Sequence, residues 1–349
     1  MSLTNAYAAT SPNSGLSATS IDRREPGPED VEISIDFCGL CHSDVHATRG
    51  EWGGDTYPLV PGHEIVGRVS RVGSAVTRFS GGDTVGVGCI VDSCRECENC
   101  LEGLEQYCEQ GMTGTYGAVD KRHDGEITQG GYSRSIVVDQ HYVLRVPASL
   151  DPAAVAPLLC AGVTTYSPLR YLGVEEGDAV GVVGLGGLGH MAVKLAKAMG
   201  AHVTVFTTSA GKADAARALG ADAVVVSSNE DQMAGARQTL NVIIDTVAAK
   251  HDVNDYLRTL KRDGALIQLG LPPEDMPSIN PGMLIRKRLA YGGSLIGGIE
   301  ETQEMLDFCA EHGVVSDIEI VAANQLNEAY DRMVAGDVKY RFVLDASTI

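Results

Sequence analysis

The chain has 349 residues, which at ~100–200 residues per domain allows two domains. With 44% hydrophobic and 21% charged residues it can bury sizeable cores, which excludes wholesale disorder. Lys plus Arg total 27 against 46 Asp plus Glu, giving a net charge of −19 and a pI near 4.8, so nothing offers the basic footprint that nucleic acid or an anionic membrane needs. No basic residue precedes Arg23 and no apolar h-region stands there, so a cleaved secretory signal is not expected. The most apolar stretch, 179–193, is short and broken by glycines, so no transmembrane helix is read. A cytoplasmic protein is the expectation.

In chain order, residues 1–157 read as strands separated by glycine turns. Apolar runs over 31–37, 64–72, 84–91 and 133–146 predict a compact β-rich domain without long amphipathic helices. From about 158 to 297 the texture changes. Six short apolar runs, at 179–185, 202–206, 223–226, 242–247, 265–269 and 290–295, alternate with helical patterns such as 188–199, 212–219 and 251–260. That alternation predicts a doubly wound parallel sheet of six strands, an α/β fold. Residues 298–349 carry two more helical patterns, 301–311 and 325–334, and strands at 318–321 and 340–345; this tail is expected to return and complete the first domain.

The cysteine count is nine, an odd number that fits reduced thiols or metal ligands better than a disulfide framework. Cys94, Cys97, Cys100 and Cys108 form a C-x2-C-x2-C-x7-C run able to wrap one tetrahedral ion, the pattern of a structural zinc site. An iron–sulfur cluster is the rival, but the bacterial ferredoxin run closes with C-x3-C-P, whereas Glu109 follows the last cysteine here. Cys38 and Cys41 also make a C-x2-C, although Cys38 reads more simply as the end of the 31–37 strand. Cys89 and Cys309 read as small buried hydrophobes, and so, taken singly, does Cys160.

The first apolar run of the second domain leads into Gly184-Leu185-Gly186-Gly187-Leu188-Gly189, a G-x-G-x-x-G that follows a strand and opens a helix. Gly184 allows the tight turn, Gly186 the approach of a pyrophosphate, and Gly189 the packing of helix on sheet, with Gly187 and Leu188 opening the helix N-terminus. The second strand ends in Thr207, Thr208, Ser209 and Lys212 without the carboxylate that binds an NAD ribose. Hydroxyls and a cation there suit the 2′-phosphate of NADP(H); the plain alternative is a solvated turn with Lys212 on the surface.

Cys41-His42-Ser43-Asp44-Val45-His46 and Gly62-His63-Glu64 bring thiolate, imidazole and carboxylate from separate loops. With Cys160 they supply Cys2His, three ligands and an open position, as in a catalytic zinc site. At this point the sequence resembles the zinc-dependent medium-chain alcohol dehydrogenases, in particular their cinnamyl-alcohol-dehydrogenase branch of NADPH-dependent aldehyde reductases. CGLCHSDVH, YPLVPGHEIVG, GDTVGVG, the four-cysteine lobe, QGGYS, APLLCAG and GLGGLGHMAVKLAKAMG carry the likeness, from about Pro26 to Val343.

The resemblance implies a GroES-like catalytic domain beside a Rossmann domain, two zinc ions per chain and NADP(H). It implies catalytic zinc on Cys41, His63 and Cys160, with Glu64 as an alternating fourth ligand and Asp44 steadying the His63 ring. In such enzymes zinc polarises the aldehyde oxygen, the nicotinamide supplies hydride, and a relay from Ser43 through the ribose to His46 moves the proton. His42 matches a position near the pyrophosphate, Thr164 a nicotinamide contact, and Ser294 and Ile296 lie near the corresponding place on the last strand. Trp52 is expected to line the substrate pocket, with core packing the alternative. Ser43 and Asp44 could instead merely cap a short helix. His123, His141, His190, His202, His251 and His312 show no ligand spacing and read as structural.

Aldehyde reduction with alcohol oxidation in reverse is the leading expectation, on a small-molecule substrate and in a homodimer joined near 290–297. Reduction of a conjugated C=C or iminium bond is the second, and a non-enzymatic NADPH sensor the third.

Overall fold

A computed structural model describes residues 2–53, 56–123, 125–272 and 274–349, and the chain divides into two compact units. The first comprises Met1–Cys160 with Gly297–Ile349, the second Ala161–Ile296.

The first unit is built on a seven-stranded mixed sheet whose spatial order is Ile318–Ala322, Arg341–Asp345, Asp30–Gly39, Ile65–Val72, Thr84–Val87 and Leu144–Arg145, with Ser135–Asp139 added against Asp30–Gly39. Val31, Ile33 and Ile35 alternate into the core at no more than 2% exposure, while Ser34 faces water, which fixes the register of this central strand. The C-terminal strand Arg341–Asp345 pairs antiparallel with the end of Asp30–Gly39, through Val343–Gly39 and Leu344–Cys38. That pairing lays the last strand alongside the start of CGLCHSDVH.

Local structure here departs from the sequence reading at several points. A hairpin of Ser2–Ala9 and Leu16–Arg23 precedes the first expected strand. Its Ser, Thr and Ala side chains offer little alternation, and backbone pairing carries it, including Ala9 with Leu59. The run 84–91 is broken at Gly88 and Cys89 into Thr84–Val87 and Ile90–Asp92. His42–Arg49 is an α-helix rather than a loop, closed at Gly50 in the left-handed conformation (φ 68°).

The second unit holds the six-stranded sheet, parallel throughout, in the order Ala223–Val226, His202–Thr207, Ala179–Val183, Leu240–Asp245, Leu260–Gln268, Ala290–Gly293. Consecutive residues Ile243 and Ile244 are both fully buried, as expected of a parallel strand covered on both faces. Phe206 packs edge-on against Tyr256 at 5.4 Å in a cluster with Val183, Leu240, Leu257 and Leu266, each such side chain contributing about 1.5–3 kcal/mol by burial. Because all six strands run one way, residues 184–189, 207–212, 246–251 and 294–296 share the edge where their carboxyl ends emerge. The helix Ala161–Tyr171 went unread because it is buried over nine consecutive residues and so lacks a one-sided pattern.

Candidate zinc and dinucleotide sites

Cys41, His63, Glu64 and Cys160 converge, each offering one donor atom within 4.8 Å of the others. Cys41 is the residue before the helix His42–Arg49, and Asp44 in its first turn accepts the Cys41 backbone N–H at 2.9 Å, closing a capping box. The same carboxylate accepts from Gly62 N at 3.1 Å and His63 Nδ1 at 3.0 Å. Capping and ligand orientation are thus one function here, since fixing Nδ1 leaves Nε2 of His63 as the donor for a metal. Gly62 has φ 101°, and a Cβ there would stand 2.6 Å from Tyr132 and 2.8 Å from the Cys38 thiol, so the turn that delivers His63 needs glycine.

Glu64 is fully buried, and a Cβ on Gly39 would lie 1.9 Å from its Oε2. Arg341 Nη2 donates to both of its oxygens, at 2.5 and 2.7 Å, and to the Leu40 carbonyl at 2.7 Å. Burial raises the Glu64 carboxyl above its ordinary range while Arg341 pulls it back. The Cys41 thiol is held well below its usual value by its hydrogen bond with Cys160, whose own thiol is pushed well above, so the pair shares a proton. Burial disfavours a charged His63, yet Asp44 together with the Cys89 and Cys41 thiols holds its pKa well above the usual value. Two cysteine sulfurs, an imidazole and a carboxylate gathered within 4.8 Å of one another are the donor set zinc takes.

Ser43 Oγ lies 3.6 Å from Cys41 Sγ. His46, one turn on, faces Glu51 through Nδ1 at 2.5 Å and tilts against the Trp52 ring at 5.1 Å. Trp52 is 51% exposed, which excludes a core-packing role. His42, at the start of the helix, has its pKa lowered by burial. The sulfurs of Cys94, Cys97, Cys100 and Cys108 also lie within 4.8 Å of one another. Cys94 Sγ accepts from Cys97 N at 3.3 Å and Cys108 Sγ from Cys94 N at 3.4 Å, the amide–sulfur bonds that steady thiolates on a metal.

In the second unit Gly184 has φ 89°, Gly186 caps the helix Gly187–Ala198, and a Cβ on Gly186 would meet nothing within 4 Å. Gly189 is different, because a Cβ there would lie 2.2 Å from the Gly184 carbonyl. The turn with Gly187 and Leu188 is therefore an open cradle at a helix N-terminus that a pyrophosphate fits. Thr208, Ser209 and Lys212 are exposed just past the strand His202–Thr207. The Thr164 hydroxyl is buried and has no hydrogen-bond partner among the described residues, an acceptor–donor left for a polar ligand group. Ser294 N donates to Gln268 O at 3.3 Å, and Ile296 sits at φ 38°, a conformation a β-branched residue rarely takes.

Residues 27–148 match the alcohol dehydrogenase GroES-like domain and residues 187–311 the zinc-binding dehydrogenase domain. The aldehyde reductase YahK of Escherichia coli is 57% identical over 99% of this chain and 97% of its own. The NADP-dependent alcohol dehydrogenase C 1 of Mycolicibacterium smegmatis is 54% identical over 100% of this chain and 99% of its own. This chain belongs to the zinc-binding alcohol dehydrogenases. A cinnamyl alcohol dehydrogenase structure from Sorghum bicolor superposes on this dehydrogenase with TM-score 0.96 and 47% identity, covering 99% of this chain and 98% of the other.

Sequence reasoning about this dehydrogenase missed Cys89 and Arg341 beside the Cys41–His63–Glu64–Cys160 cluster and Glu51 beside His46. Cys89, read as a small buried hydrophobe, is only partly buried; it stands where the 84–91 run breaks, and its thiol donates to the Leu159 carbonyl at 3.8 Å, next to Cys160. Arg341 opens the strand Arg341–Asp345, whose other end is the charged Asp345, so its sequence position carried no signal of a buried partner. Glu51 carried none, since its contact with His46 depends on the turn at Gly50. Among the described residues no helix is long and apolar enough to cross a membrane.

Proposed function

We propose that this dehydrogenase reduces aldehydes to primary alcohols with NADPH, and runs the reverse oxidation, on aromatic, allylic or medium-chain substrates. The observation that carries the reading is the buried Cys41–His63–Glu64–Cys160 cluster with Asp44 fixed on His63. The likeness to proteins named for aldehyde reductase and NADP-dependent alcohol dehydrogenase activity supports it. When bound, zinc supplies Lewis-acid polarisation of the carbonyl and NADPH supplies hydride.

Cys41, His63 and Cys160 hold the metal, and Glu64, drawn toward Arg341, serves as the alternating ligand. Cys94, Cys97, Cys100 and Cys108 hold a second, structural zinc. Ser43 gives a proton to the product oxygen, and His46, oriented by Glu51, replenishes it from solvent. In reverse the same groups remove the alcohol proton. Gly184, Gly186, Gly187, Leu188 and Gly189 receive the pyrophosphate, with His42 as a further contact. Thr208, Ser209 and Lys212 receive the 2′-phosphate, which an acidic residue at that strand end would repel. Thr164, Ser294 and Ile296 position the nicotinamide. Trp52 lines the substrate pocket and favours flat or long apolar aldehydes.

The enzyme works in the cytoplasm as a homodimer. The edge strand Ala290–Gly293, with Tyr291 and Leu295 exposed beside it, is the surface for that pairing.

The test follows NADPH absorbance over cinnamaldehyde, benzaldehyde and a straight-chain aldehyde, with NADH in parallel, a Cys41→Ser control and metal analysis. Turnover with NADPH, weak with NADH and absent in Cys41→Ser, is the expected result. Protein that holds two zinc ions and binds NADPH yet reduces none of these aldehydes would overturn the reading in favour of C=C or iminium reduction, or of a sensor.

A further inference from the structure

At the carboxyl end of the strand Leu240–Asp245, a buried acid and a histidine close a short loop onto the glycine turn. The Asp245 side chain is fully buried. Its Oδ1 accepts from Val247 N at 3.1 Å, and its Oδ2 faces His251 Nε2 at 2.7 Å. The other ring nitrogen, Nδ1, is 2.8 Å from the Ala249 carbonyl oxygen. A carbonyl can only accept, and so can an ionised carboxylate, so both ring nitrogens carry protons and the pair is an imidazolium on a carboxylate. Both ends of the segment 246–251 are thereby fastened to one side chain.

That segment touches the dinucleotide cradle directly. Thr246 donates to the Val183 carbonyl twice, from its backbone N–H at 3.0 Å and from Oγ1 at 2.7 Å. A Cβ on Gly184 would come within 2.9 Å of Val247 Cγ2 and 3.0 Å of Thr246 Oγ1, and one on Gly189 within 3.2 Å of Thr246 Oγ1. On its far side Val247 lies against Gly270, where a Cβ would stand 2.3 Å from the Val247 carbonyl. Thr246 and Val247 are wedged between two glycines that leave no spare volume, so their position and that of the phosphate turn are set together.

We propose that Asp245 and His251 form a charged clasp that holds Thr246 and Val247 against Gly184 and Gly189, making His251 a positioning residue for NADPH. This rests on the reading of the protein as an NADPH enzyme. The clasp is pH-sensitive, because a neutral ring must leave a lone pair facing one of its two acceptors. The titratable groups facing the ring are Asp245 from the strand, Asp252 from the loop, and Tyr256 from the helix Val253–Leu257, whose ring meets it edge-on at 5.7 Å.

The hydrogen bond to Asp245 raises the imidazole pKa, burial lowers it, and the Ala249 carbonyl and the charges of Asp245 and Asp252 raise it again, leaving it above the usual value. A raised folded-state value means the clasp is complete below the ordinary histidine pKa and is lost as pH rises through the raised one.

The experiment titrates NADPH into the full-length, metal-loaded protein by nucleotide fluorescence across neutral to alkaline pH, for wild type, His251→Ala and His251→Gln. Below the transition His251→Ala binds NADPH about fivefold more weakly or worse, within the range of typical coupling between neighbouring sites. Its KM for NADPH rises while kcat moves less. Wild-type affinity declines toward the variant's as pH rises. His251→Gln, which keeps a donor toward Asp245 without a titratable charge, recovers part of the affinity but none of the pH dependence. The 2′-phosphate titrates alike in all three, so the difference between the curves isolates the ring.

Hydrogen exchange of amides 246–251 without nucleotide is faster in His251→Ala. Equal dissociation constants and superimposable pH profiles for wild type and His251→Ala would overturn the proposal. Failure of the wild type to bind NADPH would overturn both the functional reading and the cofactor role of the clasp, whereas wild-type binding with unchanged variants overturns the clasp alone.

Discussion

Replacing Asp44 by asparagine probes the link between helix capping and metal binding. The carboxylate is fully buried and takes four donors, Cys41 N at 2.9 Å, His63 Nδ1 at 3.0 Å, Gly62 N at 3.1 Å and the Tyr132 hydroxyl at 3.4 Å. Gly62 and His63 use Oδ1, whereas Cys41 and Tyr132 use Oδ2. An asparagine that keeps its oxygen on His63 must therefore turn its amide N–H2 toward the Cys41 N–H. The tyrosine hydroxyl can rotate and accept, but the backbone N–H cannot.

One bond to a charged acceptor is lost, worth about 1.5–3 kcal/mol, and Cys41 loses the anchor that aims its thiol. A charge beside His63 disappears as well, which weakens the imidazole as a ligand. At about 1.4 kcal/mol per tenfold in an equilibrium constant, the bond alone corresponds to roughly 10–100-fold in zinc affinity. The assay is competition for zinc against a chromophoric chelator, with far-UV circular dichroism to confirm that the variant is folded. Zinc affinity within twofold of wild type in a folded Asp44→Asn protein would refute the reasoning.

Other substitutions separate cofactor binding from stability. Gly186→Ala meets open space, so the unfolding midpoint should hold while NADPH affinity falls, whereas Gly189→Ala drives its methyl into the Gly184 carbonyl and should also cost about 1–3 kcal/mol in denaturant unfolding. Ser209→Asp places a carboxylate beside the expected 2′-phosphate and should move the kcat/KM ratio of NADPH to NADH at least about tenfold toward NADH, read from parallel kinetics. Arg341→Met leaves Glu64 buried without its cation and should cost about 3–5 kcal/mol in urea unfolding, much of it restored by adding Glu64→Gln.

Family membership and the α/β class were legible in the sequence because their signals are local. The glycine turn reads directly because a tight turn, a phosphate and a packed helix each demand glycine within six residues, and the cysteine run because short arms can only fold back on themselves. The four inner strands of the second unit show as apolar runs because a sheet covered on both faces tolerates little else. Long-range partners had no such signature. Arg341 meets Glu64 across 277 residues, and only the pairing of the last strand with Asp30–Gly39 brings them together. Cys89, at the break between two strands, lies beside Cys160, and Glu51 reaches His46 past the left-handed glycine that ends the helix. His251, structural by spacing alone, gains its charge from a carboxylate at the end of a strand and a carbonyl in its own loop. Sequence records what each segment does with its own backbone, whereas the protonation and aim of a buried side chain depend on which groups the finished packing sets against it.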